Sequence, residues 1–149
     1  MSNSLLRVAF DTTVFFWSRD IRKRLREKIK SGEIVAVLPV IAYSERLRQI
    51  ADSQQADFVL SIFKQFVADL GFSVAPFTER HAESVADLWL SLNPTHRNKE
   101  FWRANKADIF IIAMSEAEGW TLVTDDEGIQ FTAFHQKMNC QDFVTTYLG

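Results

Sequence analysis

The chain has 149 residues, 47% apolar and 24% charged, with a formal net charge of −2 and a pI near 5.9, values that suit one domain with one hydrophobic core and exclude a disordered chain. A single cysteine, Cys140, excludes an internal disulfide framework and a cysteine-based zinc site. No apolar run approaches the length of a membrane span, and the N-terminal one is too short and too interrupted by charge for a signal peptide, so a soluble, cytoplasmic protein is expected.

Leu6 to Phe10 is a short apolar run, broken by Arg7, that reads as a buried strand ending on Asp11. Arg19 to Lys30 predicts a charged helix closed by Ser31-Gly32. Ile34 to Leu38 reads as a second buried strand, and Pro39 suits the first turn of a helix running to about Ala51. From Ala56 to Leu70, Val59, Ile62, Phe63, Phe66, Val67 and Leu70 recur at helical spacing, and Gly71 ends that helix. Phe72 to Ala75 is a third strand, and Thr78 is placed to cap a helix through about Leu92. A polar, turn-rich segment follows from Asn93 to Asn105, then a helix from Ala107 to Glu118 stopped by Gly119. Thr121 to Thr124 reads as a fourth strand tipped by Asp125 and Asp126, and Met138 to Gln141 as a fifth before a final short helix. Strands alternating with helices predict an α/β fold: a single domain over residues 1–149, three layers α/β/α, with a central parallel sheet and helices on both faces.

In such sheets, sites form outside the carboxyl ends of the strands. Asp11 and Asp126 stand at two strand tips, Asp108 at the predicted start of a helix, and Glu45 about one and a half turns into the helix after strand two. All four can share one edge. Clustered carboxylates repel one another unless a cation neutralises them. An all-oxygen donor set suits a hard ion, Mg²⁺ or Mn²⁺. Such an ion lowers the pKa of a bound water and clamps phosphodiester oxygens, which points to metal-assisted phosphodiester hydrolysis. Singly, each acid has a plainer explanation: Asp108 would meet a helix dipole, and Glu45 would pair with Arg48 or Gln49 at the surface. Asp11 is harder to dismiss, because it lies between a buried strand and the apolar Val14 to Trp17.

Four stretches carry a resemblance: Val8-Ala9-Phe10-Asp11-Thr12-Thr13-Val14; Leu38-Pro39-Val40-Ile41-Ala42-Tyr43-Ser44-Glu45; Lys106-Ala107-Asp108-Ile109-Phe110-Ile111-Ile112-Ala113; and Thr121-Leu122-Val123-Thr124-Asp125-Asp126. Together they resemble the PIN-domain family, in particular VapC-type toxins of bacterial toxin–antitoxin pairs, over nearly the whole chain. The resemblance implies a metal-dependent endoribonuclease with Asp11, Glu45, Asp108 and Asp126 as catalytic and metal-binding acids. It also implies that Thr124, and Thr12 or Thr13, orient a carboxylate or a metal-bound water. Asp125 duplicates the acid of the fourth motif and is an alternative ligand to Asp126. Thr13 stands where the family often has Asn or Ser, and Phe131 lies farther past the last acid than the family's aromatic, which implies a longer loop.

Seven basic residues fall between Arg19 and Lys30, a pattern that reads first as a solvated helix face. A second cluster, Arg97, Lys99, Arg103 and Lys106, interleaved with His96, Phe101 and Trp102, precedes Asp108; Arg97, Lys99, Trp102, Arg103 and Lys106 are the expected RNA contacts, cations for phosphates and an aromatic for bases. His96 reads as a loop residue rather than a base, and Cys140 as a small filler with no histidine beside it in sequence. The resemblance further implies an antitoxin protein and a homodimer as partners. Haloacid-dehalogenase phosphatases also open on a strand-tip Asp, but they place a second Asp two residues on, where this chain has Thr13. A noncatalytic PIN-like scaffold, and a PIN nuclease of RNA maturation, are the remaining alternatives.

Overall fold

The computed structural model describes residues 5–149. In chain order it contains β1 (Leu6–Phe10), a 3₁₀ turn (Thr12–Phe16), α1 (Arg19–Lys30), β2 (Ile34–Pro39), α2 (Val40–Ala51), α3 (Ala56–Leu70), β3 (Ser73–Ala75) and α4 (Glu79–Ser91). A 3₁₀ turn (Pro94–His96), α5 (Lys99–Glu118), β4 (Thr121–Val123), a 3₁₀ turn (Ile129–Phe131), β5 (Lys137–Met138), α6 (Cys140–Phe143) and a π-helical turn (Val144–Leu148) complete it.

The five strands form one parallel sheet in the order β3-β2-β1-β4-β5. The order grows leftward from β1 to β3 and then jumps back across β1 to β4. With right-handed crossovers, the helices of the two halves lie on opposite faces, as expected for a three-layer α/β/α fold. The jump also opens a switch point between β1 and β4, where the pairing Phe10↔Val123 sets Asp11 beside Thr124.

The sheet is central because its strands are apolar on both faces. Val8, Ala9, Phe10, Leu38, Leu122 and Val123 are all buried. Phe10 is the hub: its ring stacks on Phe72 at 5.4 Å and meets Phe143 and Trp17 edge-on at 5.4 and 5.8 Å. The same ring lies one residue before Asp11, so the packing that builds the core also fixes the strand tip.

Several boundaries differ from the sequence expectation. The helix carrying Asp108 starts at Lys99, not at Ala107. Asn98 caps it by accepting the Phe101 N–H at 2.9 Å, and Phe101 and Trp102 pack their rings on Trp89. Of the segment expected to be turn-rich, residues 93–98 form a 3₁₀ turn and its flanks, and residues from Lys99 onward are the first turns of a longer helix. Asp108 therefore lies in the helix interior, and the helix dipole does not account for it. Pro39 ends β2 and caps α2 rather than lying inside its first turn. The last strand is Lys137–Met138, not Met138–Gln141, because the Asn139 side chain accepts the Asp142 N–H at 2.8 Å and starts α6.

Thr78 caps α4 as its sequence position implies. It forms a capping box with His81, whose buried ring also bonds Glu118 at 2.8 Å and ties α4 to the end of α5.

Replacing Phe10 by Ala removes a fully buried ring and three aromatic contacts. Phe10→Ala is expected to lower unfolding free energy by about 3–5 kcal/mol, read from urea denaturation; a loss under about 1 kcal/mol would show that the hub carries little of the core.

Candidate active site

Asp11 is the best-held acid of the group. Its Oδ1 accepts the backbone N–H of Thr13 at 2.9 Å and the Thr13 hydroxyl at 2.5 Å. Its Oδ2 accepts the buried Thr124 hydroxyl at 2.5 Å. Asp11 is thus the residue that caps the turn after β1. Thr124 also accepts the Asp126 N–H at 3.2 Å, so one hydroxyl joins the tips of β1 and β4.

The other acids approach from neighbouring elements. Burial raises the pKa of Glu45, on α2, from the ordinary carboxylate value; the nearby Arg48 charge opposes this, and the Asp11 charge adds to it. Burial raises Asp108 as well; a bond from Gln130 opposes it, and the charges of Asp126 and Glu45 add to it. These mutual influences mark all four carboxylates as one electrostatic cluster.

The surface pairing that would have explained Glu45 is absent among the described residues: Arg48 pairs with Asp52 at 2.9 Å, and Gln49 accepts from Arg46 at 3.2 Å. No ion pair among the described residues reaches Asp11, Glu45, Asp108 or Asp126. Asp125 behaves differently from Asp126. Its Oδ1 accepts the Cys140 N–H at 2.9 Å, which ties the loop after β4 to α6. Asp126 instead accepts the Gly128 N–H at 3.0 Å and acts on Asp108.

The donor chemistry fits a hard divalent cation: oxygen atoms only, and excess negative charge with no ion pair to these acids among the described residues. Among the described residues, no three acidic, histidine or cysteine side chains already stand close enough to ligate a single ion. The fit is therefore one of charge and donor type, and three of the four acids keep their own anchors: Thr13 and Thr124 for Asp11, Gln130 for Asp108, Gly128 for Asp126.

The basic cluster before Asp108 is arranged differently from its sequence. Lys99, Arg103 and Lys106 recur at helical spacing on one exposed face of α5, roughly half a turn from Asp108. Arg97 is half-buried just before the helix, and the Trp102 ring packs between Trp89 and Phe110 at 5.6 and 5.5 Å. His96 lies in a 3₁₀ turn with its ring 5.7 Å from that of Phe101. The Cys140 thiol is 3.6 Å from the Thr13 hydroxyl, and burial pushes its pKa up to about 11, which suits a filler rather than a nucleophile.

Sequence reasoning missed three residues at this edge. Phe16 is 69% exposed on the turn that follows Asp11, and the guanidinium of Arg46 lies 5.0 Å over its ring, next to Glu45 in sequence. Gln130 is buried and reaches Asp108. Each is a single residue without a periodic partner, so no pattern in the sequence announces it.

The PIN-domain family model matches residues 8–134. No curated protein matches the chain by sequence. Three solved structures share the fold. VapBC2 from Rickettsia felis, bound to a DNA fragment from their promoter, aligns with TM-score 0.71 and 15% identity, covering 90% of this chain and 98% of that one. DNA-bound VapBC from Salmonella typhimurium aligns with TM-score 0.68 and 14% identity, covering 91% and 98%. VapBC-1 from nontypeable Haemophilus influenzae aligns with TM-score 0.67 and 14% identity, covering 90% and 98%.

The raised pKa of Asp108 makes stability depend on pH. The folded state holds this proton more tightly than the unfolded chain, so stability falls as pH rises from the ordinary carboxylate value through the raised one, and the penalty is complete above it. Asp108→Asn is therefore expected to raise the melting temperature in chelator at neutral pH, with the gain shrinking as pH falls toward the ordinary carboxylate value. Melting curves across that range test it; a gain that does not change with pH would contradict the assignment.

Proposed function

We propose that this chain, which belongs to the PIN-domain family, is a metal-dependent endoribonuclease and the toxin of a toxin–antitoxin pair. The family is one of nucleases. The observation that carries the reading is that the charges of Asp11, Glu45, Asp108 and Asp126 act on one another at the carboxyl edge of the sheet, while no ion pair among the described residues reaches any of them.

Asp11, Glu45, Asp108 and Asp126 would hold Mg²⁺ or Mn²⁺. When bound, such an ion supplies an activated water and charge stabilisation for phosphodiester hydrolysis. Thr124 keeps the Asp11 carboxylate aimed and sets Asp126 at the same tip through its bond to that residue's N–H. Thr13 holds the second Asp11 oxygen. Asp125 is left outside the set, since its carboxylate is engaged with α6.

For the substrate, Phe16 offers an exposed ring on the same edge as the acids, and Arg46 offers a cation beside it; stacking and phosphate contact suit single-stranded RNA. Lys99, Arg103 and Lys106 would meet phosphates on the face of α5 turned away from Asp108, as part of an RNA strand that leaves the acidic edge, with Arg97 just before the helix, whereas Trp102 contributes packing there.

The structural neighbours are VapBC complexes, which favours an antitoxin partner and the toxin role over RNA maturation. A homodimer and a cytoplasmic location accompany that role. No helix among the described residues is long and apolar enough to cross a membrane. The filled acidic positions disfavour a noncatalytic scaffold.

Purified protein should cleave RNA from a panel of structured and single-stranded substrates with Mg²⁺ or Mn²⁺, and not with chelator. Asp11→Asn and Asp126→Asn should each lower the rate by at least about 100-fold, since losing a ligand costs no less than losing an outer-shell partner. Cleavage that survives both substitutions would place the chemistry elsewhere.

A further inference from the structure

We propose that Gln130 is a positioning residue for Asp108, and that Gly128 is a glycine because the Gln130 amide must lie across it. The inference rests on the reading of Asp108 as a metal ligand. It concerns a side chain that no motif in the sequence marks.

Glutamine is mostly an exposed residue, yet Gln130 is only 4% exposed. A buried amide needs partners. Among the described residues, the side-chain partner of the Gln130 amide is Asp108: Nε2 donates to Oδ2 at 2.9 Å. The bond fixes one oxygen of a carboxylate on which the charges of Asp126 and Glu45 also act. An amide does this without adding a fifth negative charge to an edge that already gathers four.

The route of the Gln130 side chain explains Gly128. A Cβ at Gly128 would lie 2.4 Å from Gln130 Oε1 and 2.6 Å from Nε2. Gly128 has φ −58°, a conformation open to any residue, so the requirement is for space and not for backbone freedom. Its N–H also donates to Asp126 Oδ1 at 3.0 Å. The turn is pinned from below by Phe131, which is buried. One short segment thus holds two of the four acids, Asp126 through a backbone N–H and Asp108 through an amide.

Outer-shell partners orient ligands, and losing one typically costs about 10- to 100-fold in metal affinity. The test is Mn²⁺ binding to the full-length protein without RNA, by titration calorimetry or by the loss of the free-ion electron paramagnetic signal, with melting temperature measured alongside. Gln130→Met keeps the volume and removes the donor. It is expected to weaken Mn²⁺ binding by about 10- to 100-fold in a protein that still melts cooperatively. Gly128→Ala should weaken it in the same direction, because the new methyl displaces the amide. Adding Gln130→Met to Asp108→Asn should cost nothing further.

If the wild type and Asp108→Asn differ in Mn²⁺ affinity while Gln130→Met and Gly128→Ala bind like the wild type, the positioning role is overturned and the metal site stands. A Gln130→Met loss that is equally large in the Asp108→Asn background would also overturn it, since the amide would then act elsewhere. If the wild type binds no Mn²⁺ at all, the metal reading fails and this inference falls with it.

Discussion

Like charges gathered at one edge of the sheet, Asp11 and Asp108 half-buried and Glu45 and Asp126 exposed, are the constraint on which this structure turns. Four carboxylates at one sheet edge destabilise the fold unless something offsets them. The chain offsets them only in part. Thr13 and Thr124 donate to Asp11, Gln130 to Asp108, and the Gly128 backbone to Asp126. All of these donors are neutral. They orient the carboxylates and leave the net negative charge in place, an arrangement that serves a cation better than it serves the stability of the protein alone. The pKa values of Glu45 and Asp108 are raised first by burial, and the neighbouring carboxylates add to the shift.

The rest of the fold holds this edge against repulsion. Parallel pairing of β1 with β4 sets Asp11 beside Thr124. Phe10 anchors the tip of β1 in a cluster of rings drawn from the first turn, from the residue that leads into β3, and from α6. The Asp125 bond to Cys140 ties the loop after β4 to α6. Aromatic packing between α4 and α5 positions the long helix that carries Asp108. The hydrophobic core and the acidic edge are therefore not separate designs, because Phe10 before Asp11 and Val123 before Thr124 both belong to the core.

The strands and most helices were legible because apolar runs, helical spacing and glycine stops all agreed. Leu6–Phe10, Arg19–Lys30 and Ala56–Leu70 lie where the pattern placed them. The start of α5 was not legible. Asn98 and the polar residues after it carry turn-like chemistry, and only their packing on α4 shows that they are helical. That error mattered for function, since it made Asp108 look like a helix-cap acid and made Lys99, Arg103 and Lys106 look like its neighbours. The four acids could be proposed from the sequence because two stood at strand tips and two in motifs that carry the resemblance. Gln130, Phe16 and Arg46 could not, because their significance comes from contacts between distant segments. The different partners of Asp125 and Asp126, which favour Asp126 as the proposed ligand, likewise depend on α6, whose contact with the loop no spacing encodes.

The most direct test of the central claim is a crystal structure of the protein grown with Mn²⁺, with the ion located by its anomalous scattering. The account predicts a peak at the carboxyl edge of β1 and β4, ligated by oxygens from among Asp11, Glu45, Asp108 and Asp126, with Asp125 still turned to Cys140. A well-diffracting crystal with no peak at that edge, or with its peak on other residues, would contradict it.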